Sequence, residues 1–139
     1  MRLLTLALLL ALAASPLRAQ TATEADAAQF RDIITAQIQA FRADDGPAAY
    51  THAAPKIRQM FPTPDDFMAL VKRGYPQVYR PEKFTFGPVT TEMHGQPTQR
   101  VTIIDGKGKI WTALYGFEKQ PDGTWKINGV QMLDVGGEA

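Results

Sequence analysis

The sequence predicts an α+β domain in which N-terminal helices pack on a strongly curved antiparallel sheet of about four strands. The first half of the chain, roughly Glu24 to Arg73, combines helix-capping residues with apolar residues at helical spacing. The second half, roughly Lys83 to Val135, alternates apolar and polar residues between turn sequences. Interior glycines at Gly116 and Gly129 indicate bulges that bend the sheet. We therefore expect a cone whose concave side, covered by the helices, encloses a pocket.

The first helix is predicted from an apolar stripe at the spacing of one helical face. Its start is marked by a capping pair, either Thr21 with Glu24 or Thr23 with Asp26, and the sequence from Asp44 to Pro47 ends it. The residues of the stripe are Phe30, Ile33, Ile34, Ile38 and Phe41. They predict a helix that buries one side only.

Two further helical regions are expected before the sheet. A short second helix over Ala48 to Ala53 contains His52, and Pro55 separates it from another helical turn. The third helix is capped by Thr63. Gly74 then stands where a left-handed cap is expected, and Pro76 prevents the helix from continuing.

The strand half predicts a meander. Pro88 limits pairing in the first strand and indicates an edge or a bulge, and a turn over Gly95 to Pro97 follows. The next strands are expected over Gln99 to Ile104, Ile110 to Glu118 and Thr124 to Asp134. The residues predicted to face the helices are Val101, Ile103, Trp111, Ala113, Tyr115, Phe117, Trp125 and Ile127. Those on the opposite face, where we expect a homodimer contact, are Thr102, Ile110, Thr112, Leu114, Lys126 and Asn128.

Residues 1–19 have the pattern of a cleavable signal peptide. Arg2 precedes an apolar run from Leu3 to Ala14, which is shorter than the about 20 residues that a membrane-spanning helix needs. Cleavage is expected between Ala19 and Gln20. We therefore expect a single domain over residues 20–139 that is exported to the periplasm or secreted, with no membrane anchor after cleavage.

Composition excludes several classes of function. The sequence has no cysteine, which excludes disulfides, thiolate catalysis and zinc-thiolate sites. Ser15 is the only serine and lies in the predicted signal peptide, so the mature domain has no serine nucleophile. Basic residues are scattered and balanced by acidic ones, which argues against a nucleic-acid partner. No acidic or histidine pair has the helical spacing of a metal site, and we expect no metal and no cofactor.

Several segments resemble domain-of-unknown-function family 4864, and together they span almost all of residues 20–139. The segments that carry the resemblance are Ala49-Tyr50 to Ala54-Pro55, Gly74 to Pro81 with Phe86-Gly87, Gln99 to Val101, Asp105 to Trp111 with Tyr115, and Asp122 to Trp125. This family groups short exported bacterial proteins and is similar to the NTF2-like and SnoaL-like cone folds. The resemblance implies this fold and export, and it implies no catalytic residue.

The leading hypothesis is a non-catalytic domain that binds a small apolar or amphipathic molecule, or a protein partner in the cell envelope. Aromatic side chains with polar tips, together with an arginine suited to a carboxylate, are typical of such pockets. The candidate ligand-binding residues are Tyr50, Tyr75, Tyr79, Arg80, Trp111 and Tyr115. The alternative for the tyrosines is that they pack in the core with their hydroxyl groups hydrogen-bonded.

Two other functions stay open. The first is an enzyme of the ketosteroid-isomerase-like or SnoaL-like kind, in which His52 is the base and Asp134 or Asp105 orients it. Tyr115 or Tyr50 would then donate a hydrogen bond to a developing oxyanion. The second is a structural accessory of an envelope complex, which predicts a filled core without a cavity.

Overall fold

The computed structural model describes residues 21–135, and the predicted signal peptide lies outside these residues. Over this range, helices come first and an antiparallel sheet follows, which confirms the α+β class. The helices are α1 (Glu24–Arg42), α2 (Gly46–Tyr50), α3 (Pro55–Met60), α4 (Pro64–Gly74) and α5 (Pro76–Tyr79). The strands are β1 (Lys83–Met93), β2 (Gln96–Ile104), β3 (Ile110–Lys119) and β4 (Trp125–Asp134). Within residues 21–135, no helix combines the length and the apolar character needed to cross a membrane.

The start of α1 is a reciprocal capping box. The Thr23 hydroxyl accepts a hydrogen bond from the Asp26 amide at 3.1 Å, and the Asp26 carboxylate accepts one from the Thr23 amide at 2.9 Å. Of the two predicted capping pairs, this one therefore forms. The apolar stripe faces the core, where Phe30, Ile34 and Ile38 have no exposed surface.

The short helices differ from the predicted ones at their ends. Asp45 caps α2, which ends at Tyr50, so His52 lies in the turn beyond the helix. The prediction of a left-handed cap at Gly74 is wrong. Helix α4 includes this residue, and the chain leaves it through Tyr75, whose φ is −134°. Pro76 then occupies the first position of α5, where proline starts a helix because that position needs no amide hydrogen.

The sheet is a simple meander with the order β1-β2-β3-β4, and all its neighbouring strands are antiparallel. The first hairpin turns at His94 and Gly95, whose φ angles are 54° and 76°. Two consecutive positive φ angles define the turn type that fits the twist of a two-residue hairpin. His94 is therefore a turn residue at one end of the sheet.

Three register shifts interrupt the ladders of the described sheet: one between Thr90 and Met93 of β1, and two near the predicted positions Pro88 and Gly129. In β1, Phe86 pairs with Val101 and Val89 pairs with Gln99, so Gly87 and Pro88 both lie opposite a single residue of β2. In β4, the pairing passes from Gly129 to Ile127 while β3 advances by one residue, so Asn128 is the extra residue. Such insertions re-aim the side chains that follow them.

The core lies between α1 and the inner face of the sheet. All the residues predicted to face the helices belong to it, with Trp111 and Trp125 only partly buried. The Phe30 ring stacks on Phe117 at 4.2 Å between centroids and contacts the edge of Trp125 at 5.0 Å. On the outer face, Ile110 is 50% exposed whereas Leu114 is buried. The homodimer through this face stays a prediction.

Candidate functional site

A cavity of about 270 Å³ lies between α1, α3, α4 and strand β4. Its wall consists mainly of aliphatic and aromatic side chains, contributed by α1, by α3 and the residue after it, by α4 and by the middle of β4. Phe41 and Phe67, whose ring centroids are 6.1 Å apart, form part of this wall. The side chains with polar groups on the wall are those of Gln37, Lys56, Tyr75 and Asn128. The cavity is therefore apolar with a few separate polar positions.

Gln37 is the buried polar group of this cavity. Its side chain is 4% exposed, and its Nε2 donates a hydrogen bond to the Ala49 carbonyl at 3.2 Å. This bond fixes the amide orientation, because a carbonyl only accepts. The Oε1 atom accepts no hydrogen bond from residues 21–135. This oxygen is not one of the fully buried unpaired atoms of residues 21–135, so it keeps accessible surface and can accept a hydrogen bond from a ligand in the cavity.

Lys56 lies on the wall with an exposed side chain. No carboxylate within residues 21–135 lies within ion-pair distance of its ammonium group. Asn128 is held from the sheet side, since its Nδ2 donates to the Gln96 Oε1. The polar positions of the cavity thus differ in character: Gln37 is buried and Lys56 reaches solvent.

One side of the cavity is the backbone of an edge strand. Strand β4 is the last strand of the sheet, and its outer edge forms an isolated bridge from Ile127 to Ala53, in the segment after α2. There the Ile127 amide donates to the His52 carbonyl at 2.8 Å, and the Ala54 amide donates to the Ile127 carbonyl at 2.8 Å. The next residues, 128–130, line the cavity. The bulge at Asn128 therefore lies where the strand passes from pairing to forming the wall.

Among the predicted ligand-binding residues, the structure places Tyr75 on this wall. Tyr79 and Arg80 instead contact the end of α1: the Tyr79 hydroxyl donates to the Asp44 carboxylate, and Arg80 donates to the same carboxylate at 3.1 Å and to the Phe41 carbonyl. The bond from Tyr79 lowers the pKa of Asp44, and the charges of Arg80 and Lys72 lower it further. The same bond raises the pKa of Tyr79. These groups hold α5 to the end of α1.

Tyr50 and Trp111 also have structural partners. The Tyr50 hydroxyl donates to the Phe61 carbonyl at 2.6 Å, and the Arg58 guanidinium lies 4.6 Å from the centre of its ring. Trp111 donates from Nε1 to Asp105 at 3.0 Å, and this bond is the main cause that lowers the pKa of Asp105. Asp105 therefore stabilises the β2–β3 turn and accepts the hydrogen bond of Trp111.

The candidate catalytic residues do not converge. His52 is attached to β4 at Ile127, whereas Asp134 is at the far end of that strand, about 20 Å away at the rise of an extended chain. Asp134 pairs with Lys109 at 2.9 Å. Tyr115 is completely buried, and burial raises its pKa. The base-and-orienter pair is not formed in this geometry. Within residues 21–135, no three acidic or histidine side chains form a cluster that could hold a metal ion.

Sequence reasoning missed Gln37 and Lys56 as site residues. Gln37 follows Phe30 and precedes Phe41 at helical spacing, so its position on the apolar stripe of α1 was a readable signal. Lys56 carried no such signal, because it became a wall residue only through the placement of α3 beside β4.

The fold and the site define a helix-on-sheet α+β domain with an apolar cavity between its helices and an edge strand. Residues 23–139 match the model of the family described as domain of unknown function (DUF4864), and the chain belongs to that family. Comparison with curated proteins and with solved structures found no match.

Proposed function

We propose that this domain binds a small amphipathic molecule in the cavity and does so without catalysis. The observation that carries the proposal is the Oε1 atom of Gln37, an acceptor without a protein partner within residues 21–135, on a nearly buried residue of a wall that is otherwise mainly apolar. An apolar cavity with few polar groups is the usual form of a small-molecule site. The ligand's apolar part would contact the wall, and a hydroxyl or amide N–H would donate to Gln37.

The size of the cavity limits the ligand. A volume of 270 Å³ corresponds to about nine water molecules at liquid density. Each water molecule has one heavy atom, so a ligand of about nine heavy atoms fits this volume. An eight-carbon alcohol is such a molecule. We therefore choose n-octanol as the first probe, because its chain matches the wall and its hydroxyl can donate to Gln37.

The test is calorimetric titration of n-octanol into the domain and into two tryptophan variants. Leu70 lines the cavity, so Leu70→Trp would fill part of it, whereas Ile110→Trp adds the same side chain on the outer face of the sheet. We expect binding to the parent domain and to Ile110→Trp, and loss of at least tenfold in affinity for Leu70→Trp. Equal binding to all three proteins, or to none, would contradict the proposal.

A second variant tests the polar contact. Gln37→Leu replaces the acceptor with an apolar side chain of similar size, so n-octanol should bind about fivefold more weakly, the equivalent of about 1 kcal/mol for one hydrogen bond. Octane, which has no donor, should not lose affinity. A protein partner or a purely structural role would instead give no saturable binding of either compound.

We also propose that residues 1–19 are a signal peptide that directs export of the domain and is then cleaved. The apolar run that begins at Leu3 supports this. Recovery of the protein from the periplasm or medium with a mass that begins at Gln20 is the expected result. An intact mass in the cytosol would contradict export and leave the binding proposal unaffected.

A further inference from the structure

We infer that the ligand of this cavity is an anionic amphiphile whose negatively charged head group pairs with Lys56. The inference rests on the proposed function, because it specifies the chemistry of the ligand at the same site. It starts from the composition of the wall, which contains one cationic side chain and no acidic residue.

Within the described part of the chain, Lys56 has no carboxylate partner. Lys72 and Lys109 both have carboxylates within ion-pair distance, Asp44 at 3.9 Å and Asp134 at 2.9 Å, and Lys56 has none within residues 21–135. The neighbouring cation on α3, Arg58, differs because its guanidinium donates to the carbonyls of Ala53 and Tyr50. The ammonium of Lys56 is thus the positive charge at this cavity that a ligand can reach.

The arrangement of the wall suits a molecule with two different ends. Gln37 is buried whereas Lys56 reaches solvent, so the two polar groups lie at different depths. A lysine side chain can lie along an apolar surface while its charged end stays hydrated, so Lys56 can be part of the apolar wall and still keep its ammonium in solvent. An anionic head group beside the Lys56 ammonium stays partly hydrated, so it does not lose all of its solvation energy on binding. The chain behind it contacts the apolar wall.

Three probes share the hydroxyl that serves Gln37 and differ only at the other end of the chain. They are ω-hydroxyoctanoate with a carboxylate, n-octanol with a methyl group and ω-amino-octanol with an ammonium group. We expect ω-hydroxyoctanoate to bind about fivefold more tightly than n-octanol, as one partly exposed ion pair allows, and ω-amino-octanol to bind most weakly. Added salt should reduce both the advantage of the carboxylate and the disadvantage of the ammonium group over n-octanol, because it screens attraction and repulsion alike.

The variants Lys56→Gln and Lys56→Glu test the residue. With each probe's affinity expressed relative to that of n-octanol for the same variant, Lys56→Gln should remove the preference for the carboxylate, and Lys56→Glu should reverse it in favour of the ammonium probe. Lys107→Gln, in the exposed β2–β3 turn, is the matched control and should keep the preference. Equal affinity for the three probes, or a preference unchanged in Lys56→Glu, would overturn the inference while binding of n-octanol would still support the proposed function. If none of the probes binds, both fail.

Discussion

Tyr115 on β3 lies directly opposite Gln99 on β2, and each side chain ends inside the core in a polar atom without a hydrogen-bond partner within residues 21–135. The atoms are the Tyr115 hydroxyl and the Gln99 Oε1. The Gln99 Nε2 is used, since it donates to the carbonyls of Gly87 and Arg100 at 2.7 and 2.8 Å. Two unpaired polar atoms are therefore buried on neighbouring strands of the described core, where each carries the cost of lost hydration.

Removing the hydroxyl of Tyr115 should therefore not destabilise the domain. We expect Tyr115→Phe to leave the free energy of unfolding unchanged or to raise it by about 1 kcal/mol, because an unpaired buried hydroxyl costs desolvation. Tyr50→Phe is the matched control and should lower it by about 1 kcal/mol, since the Tyr50 hydroxyl donates to Phe61. Urea unfolding measures both. A clear loss in Tyr115→Phe would show that its hydroxyl has a partner, such as an internal water molecule.

Gly116 is expected to tolerate no side chain. A Cβ atom there would lie 2.7 Å from the Asn128 Oδ1, in the side chain that is held by Gln96, and 3.6 Å from Met93. Gly116→Ala should therefore lower the free energy of unfolding by about 1–3 kcal/mol, the usual cost of overpacking. Chemical denaturation gives the value.

Two further variants test the physical reason for this loss. Gly106→Ala introduces the same methyl group in a turn where nothing lies within 4 Å, so its effect should stay within about 0.5 kcal/mol. In the Asn128→Ala background, Gly116→Ala should cost less than in the parent, because the clashing atom is gone. Fully additive costs would rule out this clash as the cause.

Arg80 is expected to stabilise the fold without contributing to ligand affinity. It joins the Phe41 carbonyl and the Asp44 carboxylate at the end of α1 to the end of α5. We expect Arg80→Ala to lower Tm by about 4–8 °C and to leave n-octanol affinity unchanged. Arg73→Ala, an exposed arginine in the last turn of α4, should shift Tm by less than half as much. A loss of n-octanol affinity in Arg80→Ala without a comparable loss of Tm would show instead that Arg80 contributes to ligand binding.

The helix-on-sheet class and the inner face of the sheet could be predicted because they depend on local periodicity. Alternation along a strand decides which side chains share a face, and so Val101 and Ala113 were assigned to the core from the sequence. Bulges near Pro88 and Gly129 were predictable for a similar reason, because proline and glycine change the backbone locally.

The candidate site was not predictable in the same way. Its wall combines α1, α3, α4 and β4, which are distant in the sequence. A local sequence pattern does not show how these elements pack together or where a cavity stays between them. Tyr79 and Arg80 resembled ligand-binding residues, but their partner Asp44 precedes them by more than thirty residues and looked like part of a turn. Whether a polar side chain is available to a ligand therefore depends on its hydrogen bonds and ion pairs with residues that are distant in the sequence.

His52 should make the stability of the domain depend on pH near neutrality. Burial lowers its pKa, and the charge of Lys126 lowers it further; the ammonium of Lys126 donates to the carbonyl of Thr51 at 2.6 Å. The unfolded chain, with an ordinary histidine pKa of about 6.5, then binds a proton more readily than the folded chain does. The stabilising contribution of neutral His52 is therefore complete above about pH 6.5 and is lost as the pH falls through the folded pKa.

The variant His52→Gln isolates this effect. Between about pH 8 and about pH 5, the parent should lose more unfolding free energy than His52→Gln does, because only the parent has the histidine whose protonation opposes folding. The aspartates with lowered pKa values, among them Asp26 and Asp122, lose their contributions below their ordinary value of 3.8, outside this window. Parallel curves for the parent and His52→Gln would mean that protonation of His52 does not oppose folding.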